Sequence, residues 1–254
     1  MIHIYYSFYK EDPTGQEKDR KREHRIGREL LCRGLKELYG PEVNPGESPG
    51  GSPGEISRYM DIEQIDGLLA EGKYGKPFLK ERPDIHFNIS HCSGLVVCVF
   101  ADRPVGVDVE TIRPVRDPLI CRVLHEEELR VLSRYGQISE KKRPEDRTKD
   151  QQKSQPKSQP ERSPEFLRLF FRYWTLKESY LKQDGSGLTK EPREICFYVD
   201  PDDWESPVHL SDPGMICMQQ RITRLQENGE EYVLSVCVPN RCSAGETVHW
   251  EEEH

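Results

Sequence analysis

The stretch ADRPVGVDVE, Ala101 to Glu110, decides how the chain is divided. Asp102-Arg103-Pro104 is a turn, and the alternating residues after it read as a strand, Val105 to Glu110. Val105, Val107 and Val109 share one face, while Gly106, Asp108 and Glu110 share the other, because successive side chains on a strand point to opposite sides. Before the turn, the strand HIYYSFY (His3 to Tyr9), a helix of about Arg20 to Tyr39, and the strands DIHFNIS and GLVVCVFA form one batch. After it, a helical region around Leu119 to Tyr135, a helix from Ser163-Pro164-Glu165 to Asp184-Gly185, and the strands REICFYVD, MICMQQRI and EYVLSVCV form a second. The class is α+β, with the boundary near residue 101 and the second unit at 102–248. The charged tail GETVHWEEEH reads as loose.

Composition narrows the class of function. Of 254 residues 34% are hydrophobic and 32% charged, polar for a globular chain. From Ser139 to Pro164 there is no aliphatic or aromatic residue, so 139–164 reads as a polar, disordered insert. Pro41 to Glu55 is a second flexible piece, rich in Pro, Gly and Ser. A net charge of −8 gives no case for nucleic acid. Neither a signal peptide nor an apolar run long enough to span a bilayer is present, so a cytoplasmic protein without membrane contact is expected. None of the eight cysteines forms a CxxC pair, and buried free thiols are the expected state.

Asp108 and Glu110 project together from an otherwise apolar strand. Like charges so placed need a cation or donors, and a hard cation such as Mg²⁺ fits. Spacing alone is a weak pattern and favours the alternative, an amphipathic strand with a solvated polar face. The helix FFRYWTLKESYLK, Phe170 to Lys182, adds a second oddity. At about 100° per residue, Lys177 falls in the middle of the apolar arc and Glu178 between Leu167 and Phe171. A solvated pair would lie opposite, with Arg168, Arg172 and Ser179. Buried charge is costly unless paired or bound; an internal ion pair is the alternative to a site. At the end of an apolar strand, Asn88, Ser90 and His91 of FNISHCSG can donate to an anion, and Arg25, Arg28, Lys73 and Lys76 bring positive charge.

Four ordered motifs, YGKPFL (Tyr74 to Leu79), FNISH (Phe87 to His91), GVDVE (Gly106 to Glu110) and WTLKESYLK (Trp174 to Lys182), together resemble the 4′-phosphopantetheinyl transferase superfamily, in its longer Sfp-like (surfactin-synthetase-activating) branch. The resemblance implies a pseudo-dimer of two similar α+β halves, each an antiparallel sheet packed with helices, with coenzyme A and Mg²⁺ in the cleft between them. It implies Asp108, Glu110 and Glu178 around the metal, and Lys177 and Lys182 in the site. Ser90, His91 and Lys76 would contact the coenzyme's phosphates, and Arg25 its 3′-phosphate. Glu128 resembles a further acid of the family, with Glu126 and Glu127 competing for that register.

The implied reaction moves the phosphopantetheine arm of coenzyme A to a serine of an apo acyl or peptidyl carrier protein, releasing adenosine 3′,5′-bisphosphate. Asp108, Glu178 and Lys182 would carry the chemistry. Glu178 would be the general base, directly or through a water, and Lys182 would stabilise charge on the reacting phosphate. A monomer is expected for this branch. Two rivals stay open: a Mg²⁺-dependent nucleotide phosphohydrolase, and a coenzyme A- or carrier-binding protein without catalysis. The insert at 139–164 and the linker at 41–55 depart from the family's usual lengths.

Overall fold

The computed structural model describes residues 1–10, 19–40, 62–138, 161–185, 190–204, 206–210, 214–223, 230–240 and 248–253. The Gly/Pro-rich stretch at 41–55, residues 139–160 of the polar insert, and Cys242 lie outside them.

The elements run β1 (Ile2–Phe8), α1 (Asp19–Tyr39), α2 (Ile62–Leu68), β2 (Leu69–Glu71), β3 (Pro77–Leu79), β4 (His86–Cys92), β5 (Leu95–Ala101) and β6 (Gly106–Thr111). They continue through α3 (Asp117–Val123), α4 (Glu126–Leu132), α5 (Pro164–Asp184), β7 (Phe197–Tyr198), β8 (Val208–Leu210), β9 (Met215–Thr223), β10 (Glu231–Pro239) and β11 (Val248–Glu253). One sheet has the order β11-β1-β5-β4, another β6-β10-β9-β8-β7, and β2 pairs with β3 alone. The chain is α+β: α1 packs its Leu30, Leu31 and Leu35 with Phe87, Val96 and Phe100 of the first sheet. Phe166, Phe170 and Leu176 of α5 share a core with Cys217, Val233 and Cys237 of the second. The opposite faces meet each other, with Ile2, Ile4, Val97 and Val99 against Val107, Val109, Leu234 and Val236. Continuous apolar runs in β5 and β10 follow, since both faces of each are covered.

At the seam, β4 and β6 lie side by side without a shared backbone ladder. The Val107 N–H donates to Asn88 Oδ1 at 2.9 Å and the Val109 N–H to Ser90 Oγ at 3.4 Å. This side-chain stitching brings FNISH against GVDVE.

Several expectations need correction. The charged tail is not loose along 248–253: β11 pairs in parallel with β1, from Ile2↔Val248 to Ser7↔Glu253. The helical region before the insert is two helices, because Glu128 Oε2 accepts the His125 N–H at 2.8 Å and starts α4 afresh. The end of the proposed disordered insert is structured: buried Arg162 pairs with buried Asp117 and lies over the Phe166 ring. Ser163 then caps α5 by accepting the Phe166 N–H at 3.1 Å, as its residue type favours. Gly185 closes the helix at φ 64°, a left-handed conformation that glycine adopts cheaply. The strand expected over REICFYVD shrinks to β7, after a short 3₁₀ turn at Pro192–Glu194. Finally, Cys217 and Cys237 are not free thiols. They face each other across β9 and β10 with Cα atoms 4.3 Å apart and are disulfide-bonded. Cys92, Cys98 and Cys196 are free thiols. No described helix is long and apolar enough to cross a membrane.

Candidate active site

Helix α5 lies over β6, and Trp174, Glu178 and Lys182, four residues apart, form one stripe facing it. Eight helical residues rise about 12 Å, whereas two strand residues span about 7 Å. The two long side chains close that difference by leaning inward. Trp174 Nε1–H donates to Glu110 Oε1 at 3.0 Å, and Lys182 Nζ donates to Asp108 Oδ1 at 2.7 Å. Glu178 is left between them, and it makes no hydrogen bond or ion pair among the described residues.

Close approach of helix and strand depends on Gly106. A Cβ there would sit 2.0 Å from the Ser179 carbonyl oxygen and 2.3 Å from the Gln183 nitrogen. Asp108 is buried. Its Oδ1 accepts Lys182 and, at 3.1 Å, Ser90 Oγ, while Oδ2 has no hydrogen-bond partner. Burial pushes the Asp108 carboxyl above the ordinary carboxylate range against the pull of Lys182. Glu178 is also pushed up, first by burial and then by the Asp108 charge beside it. Glu110 is held at both oxygens, by Trp174 and by Arg113, whose Nη1 donates to Oε2 at 2.6 Å.

Beside this stripe opens a cavity of about 270 Å³, lined by Tyr74, Lys76, Asn88, Glu178, Leu181 and Lys182 among others. Lys76 Nζ donates to the carbonyls of Val105 at 2.8 Å and Gln183 at 3.2 Å, fastening the YGKP turn to the start of β6 and the end of α5.

The structure therefore gathers Asp108, Glu178, Lys182, Ser90 and Lys76, with Glu110 one step away. Other expected members stand apart. Lys177 does not reach the cavity: it is 0% exposed and donates to Glu128 Oε2 at 2.7 Å, to the Pro192 carbonyl at 2.9 Å and to the Ile195 carbonyl at 2.5 Å. Glu128 is thus a structural partner, also accepting the Phe197 N–H at 2.9 Å. Burial pushes Glu128 up and Lys177 down. His91 follows Ser90 on a strand and so points the other way, its Nδ1 3.1 Å from Glu23 Oε2. Arg25 is exposed and pairs with Glu29 at 2.8 Å. Neither lines the cavity. The face of α5 expected to be solvated is not: Arg172 and Ser179 are buried. Arg172 bonds Gln219 and the carbonyls of Asp200, Pro201 and Asp203 instead. Sequence reading missed Arg113, which follows Glu110 by three residues with no periodic signal to mark it.

A hard divalent cation suits part of this donor set. Asp108 Oδ2 is an orphaned buried acceptor and Glu178 an unpartnered carboxylate, and one or two carboxylates with phosphate oxygens are the usual Mg²⁺ ligands. Among the described residues no three His, Cys, Asp or Glu side chains already converge into a ready-made metal site.

A family model for the 4′-phosphopantetheinyl transferase superfamily matches residues 104–237. The chain is 30% identical over 182 residues to a 4′-phosphopantetheinyl transferase of Bacillus subtilis, covering 71% of this chain and 67% of that protein. It is 30% identical over 134 residues to the 4′-phosphopantetheinyl transferase Sfp of Bacillus subtilis (strain 168), covering 53% and 48%. An L-aminoadipate-semialdehyde dehydrogenase-phosphopantetheinyl transferase of Xenopus laevis is 33% identical over 141 residues, covering 53% of this chain and 40% of its own length. The matches thus span about half to two thirds of the first relatives' lengths.

Proposed function

Because the chain belongs to the 4′-phosphopantetheinyl transferase superfamily, in its Sfp-like branch, we propose that it transfers the 4′-phosphopantetheine arm of coenzyme A to a serine of an apo acyl or peptidyl carrier protein. The observation that carries this reading is the pairing of a buried, half-satisfied Asp108 with an unpartnered Glu178 and the Lys182 ammonium, at the edge of a cavity.

The serine Oγ forms a bond to the phosphorus that carries the pantetheine arm. The bond from that phosphorus to the bridging pyrophosphate oxygen breaks, and adenosine 3′,5′-bisphosphate leaves with the electron pair. Glu178 takes the serine proton; its raised affinity for a proton suits a base working near neutral pH. Lys182 stays beside Asp108 and offers positive charge to the reacting phosphate. Lys76, lining the same cavity, would contact another phosphate of the coenzyme. Mg²⁺ would be held by Asp108 and Glu178 with Glu110 adjacent, and when bound it would neutralise the pyrophosphate and ease departure of the bisphosphate. A carboxylate has two oxygens, so Glu178 can serve both the ion and the proton.

The coenzyme would lie between the unit at 1–101 and the unit at 102–248, in a monomer acting in the cytoplasm. The Cys217–Cys237 disulfide is the feature least expected of a reducing compartment.

The test is direct: the full chain, Mg²⁺ and coenzyme A are incubated with several apo carrier proteins, and each carrier is weighed. A gain of one phosphopantetheine arm, lost in Glu178→Gln, is the expected result; no gain on any carrier overturns the reading. Phosphate release from nucleotides without a carrier would favour the phosphohydrolase instead.

A further inference from the structure

We propose that Arg113 is an internal counter-ion for Glu110 that competes with a divalent cation, so that this residue sets how tightly the chain binds its metal. The inference rests on the transferase reading above, which assigns Glu110 to the edge of the metal site.

The geometry is that of a resident cation. Arg113 Nη1 lies 2.6 Å from Glu110 Oε2, and the same nitrogen donates to the Thr111 carbonyl at 3.2 Å. Its guanidinium rests 5.1 Å above the Phe171 ring. The other oxygen of Glu110 takes Trp174, so both oxygens already have a donor. Asp108 has the Lys182 ammonium in the same role. Three carboxylates therefore share two built-in cations, and Glu178 is bonded to neither.

Charge matching separates the two cations. With both in place, the cluster offers a single net negative charge to an incoming ion. With Arg113 withdrawn it offers two, which equals the charge of a divalent ion. Lys182 is the less dispensable one, since it also donates to buried Ser90 at 2.9 Å and borders the cavity. Arg113 is placed to leave. Its side chain is 55% exposed and lies beyond the end of β6, and an exposed pair is weak and screened by salt.

The probe is Mn²⁺ binding to the purified full chain at neutral pH, followed by electron paramagnetic resonance without coenzyme or carrier. Arg113→Met removes the charge and keeps a side chain over Phe171; Arg113→Gln is a second neutral variant if the first folds poorly. Arg113→Lys keeps the charge. The expected result is a dissociation constant lowered roughly threefold to fivefold in the neutral variants and unchanged in Arg113→Lys. Neutral variants that bind Mn²⁺ no more tightly than wild type overturn the proposal. Asp108→Asn distinguishes that failure from a failure of the underlying reading. If wild type binds Mn²⁺, Asp108→Asn does not, and the neutral Arg113 variants match wild type, only the counter-ion role falls. If no variant binds Mn²⁺, the metal assignment falls with it.

Discussion

Lys182 Nζ sits 2.7 Å from Asp108 Oδ1, joining the last turn of α5 to the middle of β6. One ammonium faces a buried carboxylate whose other oxygen has no partner, with Glu178 close enough to be raised by the Asp108 charge. Both carboxyls bind a proton more tightly in the folded chain than in the unfolded one. The stability tied to that difference is fully present below the ordinary carboxylate range, and it is lost as pH rises through the raised values. Glu178→Gln should therefore melt like wild type near pH 4 and above it at pH 7.5, by about 2–4 °C for each kcal/mol relieved. Melting curves at the two pH values check this. A variant that melts below wild type at pH 7.5 would mean that Glu178 is not under strain.

The same strain predicts a response to metal. Millimolar Mg²⁺ or Mn²⁺ should raise the melting temperature of wild type at pH 7.5, since an ion that binds only the folded state stabilises it by mass action. The shift should shrink near pH 4, where the carboxyls are protonated, and in Asp108→Asn or Glu178→Gln. Differential scanning fluorimetry across a metal series reads it. An equal shift in all three proteins would place the ion elsewhere.

Lys177 and Lys182 belong to one motif but face different fates. The Lys177–Glu128 pair is sealed, with side chains 0% and 1% exposed, while Lys182 is 32% exposed. Removing one member of a buried pair leaves an uncompensated charge, which costs about 3–5 kcal/mol; loosening a partly exposed pair costs about 1 kcal/mol or less. Lys177→Ala should lower the urea midpoint strongly; Lys182→Ala, which leaves buried Asp108 without its ammonium but opens it to water, should lower the midpoint less and lose carrier modification. Pairing Lys177→Met with Glu128→Gln should recover part of the lost stability. Equal midpoints for the two single variants would refute the separation.

These two lysines also mark how far sequence reading carries. The strand of Asp108, the helix of Lys182 and the apolar depth of Lys177 follow from periodicity, because each depends on neighbours in sequence. What Lys177 is paired with does not, since Glu128, Pro192 and Ile195 come from separate elements. His91 illustrates the same limit within one strand: alternation alone sends it away from Ser90, toward Glu23 of α1. Arg113 carries no pattern of its own and was found only by its contact with Glu110. The parallel pairing of β11 with β1 was hidden because a short charged segment at an edge needs no apolar face.

The Cys217–Cys237 bond lies beneath α5, with Cys237 Sγ 3.3 Å from Ser179 Oγ. It closes a loop with a sequence separation of 20, for which chain-entropy reasoning gives about 3 kcal/mol. A reductant present through unfolding and refolding should lower the denaturation midpoint of wild type. The Cys217→Ala, Cys237→Ala double variant should be insensitive to it. Mass spectrometry of the alkylated protein counts the thiols. Midpoints that ignore the reductant would mean the bond adds nothing to stability.

Gly106 offers the sharpest test that helix and strand must touch for the site to exist. Its missing Cβ leaves room for the backbone of α5 at Ser179, which follows Glu178, and at Gln183, which follows Lys182. A methyl at 2.0 Å from a carbonyl oxygen cannot be absorbed by a side-chain rotation, so Gly106→Ala must push the helix off β6. Gly34→Ala provides the comparison: its Cβ would fall 2.2 Å from the buried Phe100 ring under α1, far along the chain from the carboxylates. Both should destabilise, by about 1–3 kcal/mol as overpacking usually does. Only Gly106→Ala should also lengthen the Lys182–Asp108 contact, and with it lose carrier modification at temperatures where the protein is still folded. Activity assays well below each variant's melting temperature separate the two. If Gly106→Ala, once folded, modifies carriers as well as Gly34→Ala does, then close contact between α5 and β6 is not what assembles the site.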